Sequence, residues 1–137
     1  IFILSLLIIV VCTENTSARV KPVELQKNYL TFSFVIYPAN AGLKHLVTKN
    51  FYLTANLDYV HSKSDVYFQS GAAYMIPYKF LIFRFYGGGG LQLSRNHGFQ
   101  YPYAMLGTKI WAFYTEIVYP LQSKETPGYR LGFIASF

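Results

Sequence analysis

From residue 29 onward, apolar and polar residues alternate along the chain with a period of two, the mark of strands with two unlike faces. In 29–37, Leu30, Phe32, Phe34 and Ile36 oppose Thr31 and Ser33. In 51–60, Leu53, Ala55, Leu57 and Tyr59 oppose Tyr52, Thr54, Asn56 and Asp58. In 66–76, Val66, Phe68, Ala72, Tyr74 and Ile76 oppose Tyr67, Gln69, Gly71 and Ala73. The stretch 80–94 sets Leu81, Phe83, Phe85, Leu91 and Leu93 against Arg84, Tyr86, Gln92 and Ser94. In 111–119, Trp111, Phe113, Ile117 and Tyr119 oppose Tyr114 and Glu116, and in 129–137, Tyr129, Leu131, Phe133, Ala135 and Phe137 oppose Arg130, Gly132 and Ser136. Two less regular segments, 43–48 and 99–107, bring the expected number of strands to eight.

The connections alternate too. Polar loops are expected at 38–42, 61–65, 95–98 and 121–128, with tight links near 49–50, 77–79 and 108–109. An up-and-down meander gives this rhythm when its two ends face different surroundings, as in transmembrane barrels with short turns at one end and longer loops at the other. Strands of about ten residues, tilted, just cross a bilayer. The chain shows no internal repeat beyond the hairpin rhythm and no linker that would divide 19–137. The expected fold is an all-β, eight-stranded antiparallel up-and-down barrel.

Composition decides which face points where. Only 13% of residues are charged, and 53% are hydrophobic, whereas a surface in water is about 25–35% charged. Four charges fall on the polar faces of the strands, Asp58, Arg84, Glu116 and Arg130. That is too few for a solvated surface and suits a narrow interior, so the apolar face is expected to look outward into lipid. Desolvated charges must pair; Arg84 and Arg130 are therefore expected to meet Asp58 and Glu116 within the barrel. A hairpin centred near Ser123 sets Glu116 opposite Arg130. Tyr29, Tyr37, Tyr59, Tyr74, Tyr101, Tyr119, Tyr129 and Trp111 lie near expected strand ends, where amphipathic rings collect at membrane–water boundaries.

Residues 1–12 are apolar apart from Ser5 and carry no charge. As a helix they rise about 18 Å, short of a hydrocarbon core of about 30 Å. They suit the hydrophobic region of a secretory signal peptide spanning 1–18, cut after Ala18; a membrane anchor or buried helix is the alternative, and lipidation at Cys12 a weaker one because Val11 before it is not small. The segment 19–137 then holds no cysteine and carries a net charge of +7, up from +6 with Glu14 gone. Its stability owes nothing to disulfides.

The closing residues 129–137 resemble the last strand of bacterial outer-membrane β-barrel proteins, which end in a phenylalanine preceded by apolar residues at alternate positions. Tyr129, Leu131, Phe133, Ala135 and Phe137 fill those places. With the leader and the alternation, the resemblance extends to the small eight-stranded OmpA/OmpX-like barrels. It implies a monomer in the bacterial outer membrane, in contact with outer-membrane lipid, whose terminal strand is read by the barrel-assembly machinery during insertion. The loops here are shorter than in many of those proteins, which argues against an extended adhesive loop surface.

Little else points to chemistry. Gly87-Gly88-Gly89-Gly90 lacks the Lys-Ser/Thr of a phosphate loop and opens no helix; glycines in a barrel strand allow bending or make room for a bulky neighbour such as Tyr86 or Tyr114. His45, His61 and His97 lack metal-ligand spacing, so neither a metal nor a cofactor is expected. The run His61-Ser62-Lys63-Ser64-Asp65 has the residue types of a hydrolase, and small polar loops assemble such types by chance. Lys63, Arg95 and Lys124 make the outer loops basic, which suits a solvated rim or phosphorylated glycolipid. The positive charges form no stripe for nucleic acid. The reading is a small barrel with a lumen plugged by side chains and a structural or cell-surface interaction role; the alternatives are a lipid-acting barrel enzyme and a secreted lipocalin-like barrel around an apolar ligand.

Overall fold

A computed structural model describes residues 24–35, 39–122 and 124–137. The leader expected at 1–18, Cys12 and Tyr37 lie outside the described residues. The eight strands are β1 (Asn28–Val35), β2 (Ala39–Thr48), β3 (Phe51–Val60), β4 (Asp65–Met75), β5 (Phe83–Ser94), β6 (Gly98–Ile110), β7 (Phe113–Pro120) and β8 (Gly128–Ser136), with one 3-10 turn, His61–Lys63, before β4. Each pairs antiparallel with the next, and β1 pairs with β8, closing the barrel. Closure leaves no free edge along which another chain could pair. Among the described residues no helix is long and apolar enough to cross a membrane, which says nothing of crossing by strands.

The alternation reads directly as inside and outside. Along β3 every outward residue from Phe51 to Tyr59 is exposed and every inward residue from Tyr52 to Val60 is buried. The same parity runs through β7 and β8. Outward positions hold Leu53, Leu57, Phe68, Leu91, Leu106, Ile117 and Leu131, all exposed. Inward positions hold Thr31, Asn40, Lys44, Asn56, Asp58, Gln69, Arg84, Gln92, Glu116 and Arg130, all buried. A globular protein in water has the reverse arrangement. Among the described residues, no Asp, Glu, Lys or Arg occupies an outward position within a strand.

Several boundaries differ from those expected. Ala39–Gly42 is not a loop but the start of β2: Asn40 points inward to Asp58 (2.5 Å), and Gly42 leaves space that Asn56 and Thr31 fill. The link expected at 77–79 is the longer stretch 76–82, because Leu81 bends the chain through a left-handed turn (φ 57°) before β5 begins at Phe83. Thr108 and Lys109 continue β6, and the turn falls instead on Trp111 (φ 52°) and Ala112. The loops at the other end are short as well, so the contrast between the two ends is weaker than the sequence suggested. Tyr29 is fully buried inside rather than at the boundary.

The glycine run sits where β5 and β4 approach closely. Gly90 faces Gly71 and Gly88 faces Ala73 in the register, and a Cβ on Gly88 or Gly90 would strike the backbone carbonyl of Ala72 or Ser70. The space for an interior aromatic comes from another glycine: the ring of Tyr86 lies over Gly107 on the neighbouring strand.

Candidate functional site

Eight strands enclose a section just wide enough for side chains. Here the middle of that section is a chain of alternating charges. Lys44 on β2 donates from Nζ to Glu116 Oε1 on β7 (2.6 Å). Arg130 on β8 donates from Nη1 to Glu116 Oε2 (2.8 Å) and from Nη2 to Asp58 Oδ2 on β3 (2.5 Å). Two cations and two anions thus alternate in a neutral row. Glu116 and Arg130 are directly opposite in the β7–β8 register, which makes their pair a local one. Lys44 and Asp58 come from the far side of the wall.

Neutral groups complete the row. Tyr86 donates its hydroxyl to Glu116 Oε1 (2.8 Å), and the Tyr86 ring lies 5.2 Å from the Lys44 ammonium. Asn40 donates to Asp58, and Tyr114 donates to the Asn40 carbonyl oxygen (3.3 Å). Arg130 also reaches the side-chain oxygen of Gln69, whose amide donates to Gln92 (2.6 Å); Gln92 donates on to Tyr101 (2.9 Å). The network therefore ties β2 through β8 across the lumen. Lys44 and Glu116 have no exposed side-chain surface, so this row is desolvated. Removing water from four charges is costly, and close pairing with additional hydrogen bonds is what offsets it.

Of the residues singled out in the sequence, Asp58, Glu116 and Arg130 come together. Arg84 does not join them. It is buried nearer the turn end and donates from Nη1 to the Tyr29 hydroxyl (3.1 Å) rather than to a carboxylate. Lys44 stands where Arg84 was expected. The signal for it was the alternation Asn40, Gly42, Lys44, obscured because the first two residues read as turn chemistry. Tyr129, Leu131, Phe133 and Phe137 lie on the outer wall and C-terminal end, all exposed, and β8 seals the barrel against β1.

Gly107 keeps the network in shape. A Cβ there would overlap the Tyr86 ring, which has only the lumen to move into. Gly107→Ala is expected to displace Tyr86 from Glu116 and lower the unfolding free energy by about 1–3 kcal/mol, the range for overpacked interiors. Urea unfolding measures it, and an unchanged midpoint would count against a rigid fit.

The loop end carries a Ser/His/Asp cluster. Ser94 Oγ donates to Asp65 Oδ2 (2.5 Å), and His97 Nδ1 lies 3.4 Å from Ser94 Oγ and 3.7 Å from Asp65. A nucleophilic serine must give its proton to the histidine, with the acid orienting the far side of the ring. Here the serine proton goes straight to the carboxylate. The same oxygen accepts the backbone N–H groups of Asn96 and His97 (3.1 and 3.0 Å). Ser94 thus closes the β5–β6 turn, and the expected run 61–65 contributes only Asp65 to it. Beside it a cavity of about 110 Å³ opens over Asp58, Gln69 and Arg130, with Lys63, Tyr101 and Glu125 at its mouth. Lys63 and Glu125 approach to 3.4 Å there as an exposed pair, a contact worth about 0–1 kcal/mol. Among the described residues no group of three or more His, Cys, Asp or Glu could hold a metal.

Neither a family model, nor a curated protein, nor a solved structure matches the chain. The functional reading therefore rests on the barrel and its side chains.

Proposed function

We propose that this protein is a small outer-membrane barrel of the OmpA/OmpX-like kind, its wall in lipid and its lumen closed by side chains. The observation that carries the reading is the wall itself: exposed Leu, Ile and Phe around the whole circumference, with no ionised residue at an outward strand position among those described. Such a surface in water far exceeds the apolar patches that soluble monomers tolerate, and it matches the lipid-facing band of membrane barrels. Tyr59, Tyr119 and Tyr129 edge this band toward the loops, and Phe51, Tyr74, Tyr78 and Trp111 toward the turns, all exposed. Paired aromatic girdles of this kind sit at the two water boundaries.

The role that follows is structural or interactive at the cell surface, not conduction. The row from Lys44 to Asp58 crosses the lumen, leaving side chains where a pore would need water. A lipocalin-like barrel would turn its leucines and phenylalanines inward around a ligand; here they face out. Tyr129, Leu131, Phe133 and Phe137 offer the assembly machinery an apolar ladder on the closing strand. Fractionation of cells expressing the full precursor tests the reading. The protein is expected in the outer-membrane fraction, soluble only with detergent, and to run faster on gels before heating than after. Recovery in the aqueous fraction would overturn it.

A further inference from the structure

At the turn end, on the side opposite the loops, a second cavity of about 140 Å³ is lined by Lys79, Leu81, Ile82, Arg84, Lys109 and Trp111. Roughly a tenth of that volume would accommodate one water. Its three charged lining residues are all cations, with no carboxylate among them. Tyr29 holds two of these cations in place: its hydroxyl accepts from Arg84 (3.1 Å), and its ring lies 5.1 Å below the Lys109 ammonium. Arg84 is more than nine-tenths buried, and its Nε has no hydrogen-bond partner among the described residues. This guanidinium stands beside two lysines with no carboxylate in the lining, a concentration of positive charge that an approaching anion would stabilise.

The rest of the lining is apolar. Leu81, Ile82 and Trp111 are exposed at the mouth, Trp111 by 74%. Leu81 and Trp111 both occupy left-handed backbone positions, at φ 57° and 52°, a conformation that disfavours bulky side chains. Two of the three non-glycine residues with positive φ among those described thus border this one cavity and hold hydrophobic groups beside its cations.

We propose that this cavity is a phosphate-binding site that takes the headgroup of an anionic glycerophospholipid from the leaflet at the turn end. Arg84 supplies directional donors to the phosphate oxygens, Lys79 and Lys109 supply charge, and the acyl glycerol lies against Leu81, Ile82 and Trp111. Arginine is suited to planar, multi-donor recognition of phosphate, and lysine acts as a point charge. The lipid source rests on the membrane reading above; the phosphate chemistry does not.

Trp111 is the chain's single tryptophan, which makes its fluorescence a reporter of this site. The folded protein in uncharged sugar-detergent micelles is titrated with phosphatidylglycerol brominated on its acyl chains, and separately with brominated phosphatidylcholine. Quenching by the anionic lipid is expected at a mole fraction about tenfold lower. Lys79→Gln, at an exposed turn position, is expected to shrink that preference severalfold while leaving heat-modifiable migration intact. Arg84→Gln, checked for folding in the same way, is expected to remove it. Equal quenching by both lipids, or a preference that survives both substitutions, would overturn the proposal. A final arm adds inorganic phosphate at millimolar concentration: competition with phosphatidylglycerol supports one shared site. A Trp111 response to phosphate that Arg84→Gln abolishes, without any preference for phosphatidylglycerol, would overturn the lipid as ligand. Should fractionation find the protein in water, the phosphate arm run without detergent still tests the anion site, so the two failures stay separate.

Discussion

Replacing Glu116 by alanine is expected to lower the unfolding free energy by about 3–5 kcal/mol, the range found when one member of a buried ion pair is removed. The size follows from position. Glu116 is the only acid touching Lys44 in the network, and it shares Arg130 with Asp58. Without it, Lys44 is left as a desolvated ammonium facing the hydroxyl and ring of Tyr86, and two cations stand against one anion. Glu116→Gln should fall nearly as far, since it keeps the volume and loses the charge. Lys44→Met combined with Glu116→Gln should recover a large part of the loss, because the remaining pair, Arg130 and Asp58, is again neutral. Urea midpoints of the unsubstituted protein, Lys44→Met, Glu116→Gln and the double variant in the same detergent form a double-mutant cycle. A coupling near zero between Lys44 and Glu116 would contradict the network.

A charge on the outer wall should be as damaging for a different reason. Leu106 is 63% exposed and sits beside Gly107, at the height where Gly107 pairs with Glu116. That places it near the middle of the wall. In a bilayer, Leu106→Arg is expected to cost about 2–4 kcal/mol, as charges do near the midplane of membrane barrels. On a surface in water, the same exposed substitution would stay within about 0.5 kcal/mol. Unfolding in lipid vesicles distinguishes the two, and an unaltered stability would count heavily against a wall in lipid.

Most of the architecture was legible because a strand writes its two faces as parity. Once Leu53 and Leu57 are assigned outward, Asp58 follows inward, and no tertiary information is needed. Glu116 and Arg130 were also readable, since a hairpin fixes register from its own turn. The failures share one cause. Parity says which face a residue takes, but not its height in the barrel. Arg84 has the correct face, yet β5 places it at the level of Tyr29, away from Asp58. Height depends on the stagger between neighbouring strands, which bulges such as that between Leu46 and Thr48 adjust. The Ser94, His97 and Asp65 cluster was hidden for a related reason, because its members meet across the β4–β5 pairing and not along one loop.

The alternating row across the lumen also imposes an order on assembly. The last hairpin can neutralise Glu116 with Arg130 as soon as its own two strands zip together. Lys44 and Asp58 have no such local companion: their cross-strand neighbours, Tyr29 and Thr54 for Lys44 and Asn40 and Tyr67 for Asp58, are all uncharged. Those two ions must stay hydrated until the first and last hairpins converge. Expulsion of lumen water and sealing of the seam between β1 and β8 therefore become a single concerted event, and a half-rolled sheet has no dry resting point along the way.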